Sequence, residues 1–140
     1  MKKHGLISAI LFTAALALPA TAQIQFNLNF GPPPTMLYLP QPGVYSAVGV
    51  PYDIYFVGDR YYYYRDSNWF WAPGYSGPWT YVSYRSLPPG LRNYGVVTLR
   101  NYRDREYRVY RVDSSRFDGR HFVARSGPGN HGRGYARGRR

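Results

Sequence analysis

Cysteine is absent from all 140 residues, so the chain holds no disulfide and no Cys-linked lipid anchor. A small exported domain often uses disulfides to offset a limited core; this one must rely on aromatic burial and hydrogen bonding. Lysine is confined to Lys2 and Lys3, and histidine to positions 4, 121 and 131. Acidic side chains number seven, at 53, 59, 66, 104, 106, 113 and 118. Long hydrophobic runs are equally scarce. The longest, Leu6 to Leu18, is a predominantly apolar run without a charge, and its 13 residues fall short of the roughly 20 that span a bilayer.

That run follows Lys2, Lys3 and His4 and precedes Pro19 and Ala20-Thr21-Ala22. A basic start, a short apolar stretch and small residues before a break are the marks of a secretory signal. Cleavage is therefore expected between Ala22 and Gln23, and the mature chain is expected in the periplasm or outside the cell. Removing residues 1–22 removes both lysines and leaves 16 Arg against seven acids, a net charge of +9 carried wholly by guanidinium. Arginine binds phosphate or carboxylate in bidentate fashion and stacks on aromatic faces, which lysine does poorly.

What the chain does have is aromatics: 16 Tyr, 7 Phe and 3 Trp. Ile24, Phe26, Leu28 and Phe30 alternate with polar residues, the period of two of a half-buried strand. Residues 31–42 carry five prolines, which fix φ and remove amide donors. This stretch should be extended, with Met36 to Leu39 at most an edge, and Val44 to Val48 a possible further strand. Residues 53–57, 60–65, 69–72 and 79–84 then read as an antiparallel meander. Gly58-Asp59, Asp66-Ser67-Asn68 and residues 73–78 supply the turns. Alternation sends aromatics to both faces of such a sheet, so some other segment must cover at least one.

Leu87-Pro88-Pro89-Gly90-Leu91 punctuates the end of the meander. Residues 96–112 fit a helix better than a strand, because Leu99, Tyr102, Glu106, Val109 and Tyr110 share one stripe and neighbouring charges can pair at three- and four-residue spacing. From Ser126 the Gly/Arg-rich composition predicts disorder. The expected fold class is mainly β, a small α+β chain with an antiparallel aromatic meander, a C-terminal helix and a disordered tail. Its expected divisions are a signal peptide (1–22), an N-terminal strand and Pro-rich segment (23–43), the meander (44–92), a charged Arg/Tyr segment (93–125) and the tail (126–140).

The order of these motifs resembles that of a group of uncharacterised exported proteins from proteobacteria. The resemblance rests on the Ile/Asn/Leu strand, Gly31-Pro32-Pro33-Pro34 and Tyr61-Tyr62-Tyr63-Tyr64-Arg65-Asp66, followed by Trp69, Ser76-Gly77-Pro78-Trp79 and Leu87-Pro88-Pro89-Gly90-Leu91, and covers about residues 24–92. Such proteins continue with a charged Arg/Tyr segment, to which Asn101–Tyr110 corresponds. The resemblance implies export and this fold, and it carries no activity.

Catalytic chemistry has little to work with. His121 near Ser114, Ser115, Asp113 and Asp118 is the sole approximation to a triad, in a weakly apolar segment poorly suited to fixing its geometry. Asp59 and Asp66 occupy turns, the ordinary role of Asp there. Neither mature histidine has a second ligand at helical spacing on a firm element, and no glycine-rich loop fits a phosphate. The chain is thus expected to be non-enzymatic, with no cofactor and no metal. The candidate ligand-contact surface is Tyr61, Tyr63, Trp69, Trp71 and Trp79 with Arg60 and Arg65, because rings can stack on sugars while guanidiniums hold anions. The expected partner is an envelope polyanion or glycan, or alternatively an envelope protein. Export makes cytoplasmic nucleic acid an unsuitable partner despite the RGG-like tail.

Overall fold

Turn chemistry sets the strand spacing. A computed structural model describes residues 25–127. The signal peptide, the Ala22/Gln23 cleavage site and all but the first two residues of the expected tail lie outside them. Strands β4 (Asp53–Val57) and β5 (Arg60–Arg65) are joined by Gly58 and Asp59 at φ 57° and 59°, the left-handed pair that a two-residue hairpin requires. Asp66 and Ser67, at 49° and 63°, make the same turn into β6 (Asn68–Ala72), placing Asn68 opposite Arg65 rather than in the turn. Strand β7 (Trp79–Val82) follows a six-residue loop.

The meander is longer than the sequence reading gave it. Strands β2 (Thr35–Leu39) and β3 (Val44–Val48) pair in order ahead of β4. Far from lying at an edge, β2 is flanked by β3 on one side and by β8 (His121–Val123) on the other. The prolines at 32–34, 40 and 42 sit outside TMLYL, so every amide of that run remains free to donate. Strand β1 (Gln25–Phe26) closes the far edge against β7. The sheet is antiparallel throughout, in the order β1-β7-β6-β5-β4-β3-β2-β8. The expected seven-residue first strand thus shrinks to two. Its alternation persists regardless: Phe26 and Leu28 are half-buried and Phe30 is buried, while Gln25, Asn27 and Asn29 are exposed.

Residues 96–112 are helical: α2 (Val96–Val112) buries Leu99 fully and half-buries Tyr102, Glu106, Val109 and Tyr110, the anticipated stripe. The LPPGL punctuation itself forms a short helix, α1 (Pro89–Arg92), because a proline in the first turn lacks only an N–H that a helix would leave unpaired. After α2, the Asp113 side chain accepts from the Ser115 amide and starts a 3-10 turn (Ser114–Phe117) that leads into β8.

Both sheet faces are covered. On one, α1 and α2 pack Leu91 and Leu99 over Leu39, Val44, Tyr55, Tyr62 and Trp69. The other carries Tyr61, Tyr63 and Trp79 and is sealed by Phe30 from the β1–β2 connection, Tyr75 from the β6–β7 loop and Ala124 after β8. These covering segments hold one another. The Tyr75 amide donates to the Arg125 carbonyl at 2.8 Å, the Arg125 amide to the Tyr61 hydroxyl at 3.0 Å, and the Ala124 amide to the Pro34 carbonyl at 2.9 Å. Phe30 sits edge-on to Tyr63 and Trp79, with ring centres 5.1 and 5.8 Å away, the edge-to-face arrangement that aromatic quadrupoles favour.

Candidate functional site

The seven residues expected to contact a ligand are divided among separate places. Tyr61, Tyr63 and Trp79 lie inside the sealed face, and Trp69 is buried beneath the helices. These four are core rather than contact surface, because a sheet covered on both sides buries both alternating sets. Burial raises the pKa of the Tyr61 hydroxyl, opposed by the Arg125 backbone amide. Burial likewise raises that of Tyr63. Trp71 is half-buried, with the exposed Arg60 guanidinium 4.5 Å above its ring. Arg65 is exposed and pairs with Asp66 at 3.0 Å. Arg60 and Trp71 are therefore the one pair from that set that shares a surface.

A more extensive array, missed at the sequence level, occupies the corner where α2, the 3-10 turn and β8 meet, with exposed arginines over half-buried rings and the buried Phe117. Tyr107 stacks with Tyr110, which meets Phe117 edge-on at 5.7 Å and His121 at 5.4 Å. Guanidiniums lie over both ends of this aromatic row: Arg111 is 6.0 Å from the Tyr107 ring and Arg120 is 5.2 Å from Phe117. Arg120 also donates to the Arg116 carbonyl, which brings a third guanidinium-bearing residue into the group. Such cation–π contacts fix the direction in which a guanidinium is presented while leaving its charge unneutralised. Among the described residues none of these three arginines has a carboxylate partner within ion-pair distance. The nearby Asp113 carboxylate is occupied by the amide and hydroxyl of Ser115. The spacing of Arg among Tyr and Phe was visible in the sequence, but the row exists only because β8 returns to β2.

His121 belongs to this corner as a structural member. Its Nδ1 lies 2.9 Å from the Phe117 carbonyl oxygen and donates to it, so its partner is backbone and not a carboxylate. Among the described residues no three His, Asp or Glu side chains converge as metal ligands. No helix among them is long and apolar enough to cross a membrane.

A second accessible feature is an open cleft of about 270 Å³ between the β5–β6 turn, the end of β7 and the α1–α2 junction. Tyr64, Tyr84 and Tyr94 supply its rings over the buried Trp69, and Ser67 and Asn68 its polar groups. Tyr81 borders the cleft through its backbone, its ring meeting Phe70 on the opposite sheet face, and Tyr84 is 57% exposed.

The remaining charged group of note is internal. Asp53 on β4 accepts from Arg100 Nε at 3.1 Å, from Arg100 Nη2 at 2.5 Å and from Arg103 Nη1 at 3.0 Å. The least exposed ion pairs of α2 thus run from helix to sheet, where the sequence reading had expected pairs along the helix at three- and four-residue spacing. Arg103 adds Asp104, and Arg105 reaches Glu106. In comparisons with family models, curated proteins and solved structures, nothing matches this chain.

Proposed function

We propose that this chain is an exported, non-enzymatic module of the periplasm or cell envelope that binds an anionic surface polymer. The observation that carries the reading is the corner where the Arg111 and Arg120 guanidiniums lie over the Tyr107 and Phe117 rings, with the exposed Arg116 beside them, and where none of the three has an acidic partner among the described residues. Charge distribution supports it. Residues 105–140 hold ten Arg against three acids, a net +7, whereas residues 23–104 hold six Arg against four acids, a net +2. A field concentrated at one end steers polyanions to that end, and its strength falls as salt screens it.

Retention of the mature chain on immobilised lipopolysaccharide across a salt series tests this. Binding at low salt that weakens steadily with added salt, and that weakens further in an Arg111→Ala/Arg120→Ala variant, is the expected result. Failure to bind at low salt removes the proposal.

A second reading, a protein-interaction module of an envelope assembly, is favoured by the edge strand β8. Among the described residues it pairs with β2 alone, and Val123 is 61% exposed. An uncovered edge is a template for another strand. Crosslinking in cells that captures one defined partner through Val123, together with salt-insensitive association, would favour it.

A further inference from the structure

We infer that the cleft bounded by the β5–β6 turn, β7 and the α1–α2 junction is a binding site for a neutral sugar ring. This deepens the binding reading above by giving it a glycan component, and it uses none of the guanidiniums that carry that reading.

The composition of the walls selects the ligand class. Ten residues line the cleft and none is charged, which disfavours a phosphate or carboxylate as the group held inside. The lining offers instead three tyrosine rings, Tyr64, Tyr84 and Tyr94, over the buried Trp69, with the hydroxyl of Ser67 and the amide of Asn68 beside them. A sugar ring has the matching character. One face of C–H groups can lie on an aromatic ring, while the equatorial hydroxyls need donors and acceptors around its edge. A volume of about 270 Å³ lies just below the roughly 300–1,000 Å³ typical of ligand pockets, so the cleft suits a single ring and a longer polymer would run past it.

The rings are also held in place before any ligand arrives. The Tyr84 hydroxyl donates to the Arg92 carbonyl, and the Tyr94 hydroxyl to the Gln41 carbonyl at 3.1 Å. Tyr64 leans on Trp69 with ring centres 5.1 Å apart. Side chains fixed in this way lose little freedom on binding, which is where preorganisation gains affinity. At the lip, Asp66 and Ser67 both hold positive φ without being glycine, a conformation that costs stability and sets Ser67 beside the rings.

Titration of the full mature chain with cellotriose and with chitotriose, followed by amide NMR, tests the inference. Saturable shifts at Ser67, Asn68, Tyr81 and Tyr94 are expected at millimolar sugar. They should persist at high salt and in the Arg111→Ala/Arg120→Ala variant. Tyr84→Ala and Tyr94→Ala should each weaken binding about tenfold, the scale of losing one stacking ring, and Tyr84→Phe should restore it. Tyr84 is 57% exposed and Tyr94 half-buried, so these variants are expected to fold, and Tyr81→Ala, on the opposite sheet face, should leave binding unchanged. Absence of shifts overturns the inference, as does equal affinity in a Tyr84→Ala/Tyr94→Ala variant. Sugar binding lost in the arginine variant and kept in the Tyr84→Ala and Tyr94→Ala variants also overturns it, while leaving the polyanion proposal standing.

Discussion

Asp53 illustrates how one side chain joins two layers of this protein. Its carboxylate is 11% exposed and meets two guanidiniums, Arg100 at 44% and Arg103 at 16% exposure. Removing one partner from a mostly buried charge cluster leaves the others uncompensated, which is costlier than losing an exposed pair. Asp53→Asn preserves shape and removes charge, and should lower stability by roughly 2 kcal/mol given the partial exposure of Arg100. Urea unfolding should show a lower midpoint at unchanged slope. Asp66→Asn, in the exposed pair with Arg65, is the contrast and should change stability by less than about 0.5 kcal/mol. An Asp53→Asn midpoint equal to wild type would show that the cluster contributes orientation alone. Sequence reasoning saw Asp53 only as one of seven acids. Nothing local to it says that its partners lie 47 and 50 residues away.

At the level of elements, the legible features were those decided within a few residues. Gly58-Asp59 and Asp66-Ser67 marked their hairpins, alternation gave β4 to β7, and the Leu99 stripe gave α2. Features decided by distant pairing were not legible. TMLYL looked like an edge because prolines surround it, yet its interior place depends on β8 arriving from residues 121–123. His121-Phe122-Val123 is too short to carry a strand signal without that partner. The candidate site failed for a related reason. Alternation correctly divided the aromatics between two faces, but which faces are sealed depends on Phe30, Tyr75 and Ala124, which come from three separate connections.

The seating of α1 gives this level its own test. A Cβ on Gly90 would strike the Pro42 carbonyl oxygen and approach Val44 Cγ1 to 2.7 Å. Backbone lies on one side and a buried side chain on the other, so neither yields easily. Gly90→Ala should therefore cost about 2 kcal/mol through displacement of α1 from the β2–β3 turn. Gly95→Ser is the matched control. Its Cβ meets nothing within 4 Å, and a serine at the start of α2 can cap an unpaired amide, so stability should hold or rise by a few tenths of a kcal/mol. Thermal melts of the two variants separate these outcomes, and a harmless Gly90→Ala would show that α1 is not firmly seated.

For the whole molecule, the reliance on tyrosine in place of disulfides sets a limit at high pH. Burial raises the pKa of Tyr55, Tyr61, Tyr62, Tyr63 and Tyr75 above the usual phenol value, Tyr75 to about 12 with Tyr52 adding to it. In the unfolded chain these groups lose their protons near pH 10. Above that pH the folded state holds more protons than the unfolded state, so stability must fall as pH rises. The stabilisation is whole below about pH 10 and is lost progressively toward the folded values, near 12 for Tyr75. Melting temperature should hence be flat up to about pH 9 and then drop steeply. Phenolate absorbance from this buried set should rise only with unfolding. Tyr75→Phe keeps the ring in the sealed face and removes one of these protons, so its melting temperature should fall less steeply with pH than that of wild type. All tyrosines titrating together near pH 10 in a folded chain would contradict the sealed face. Guanidiniums remain charged across this range, so polyanion binding through Arg111, Arg116 and Arg120 should survive up to the pH at which the fold gives way and then be lost with it.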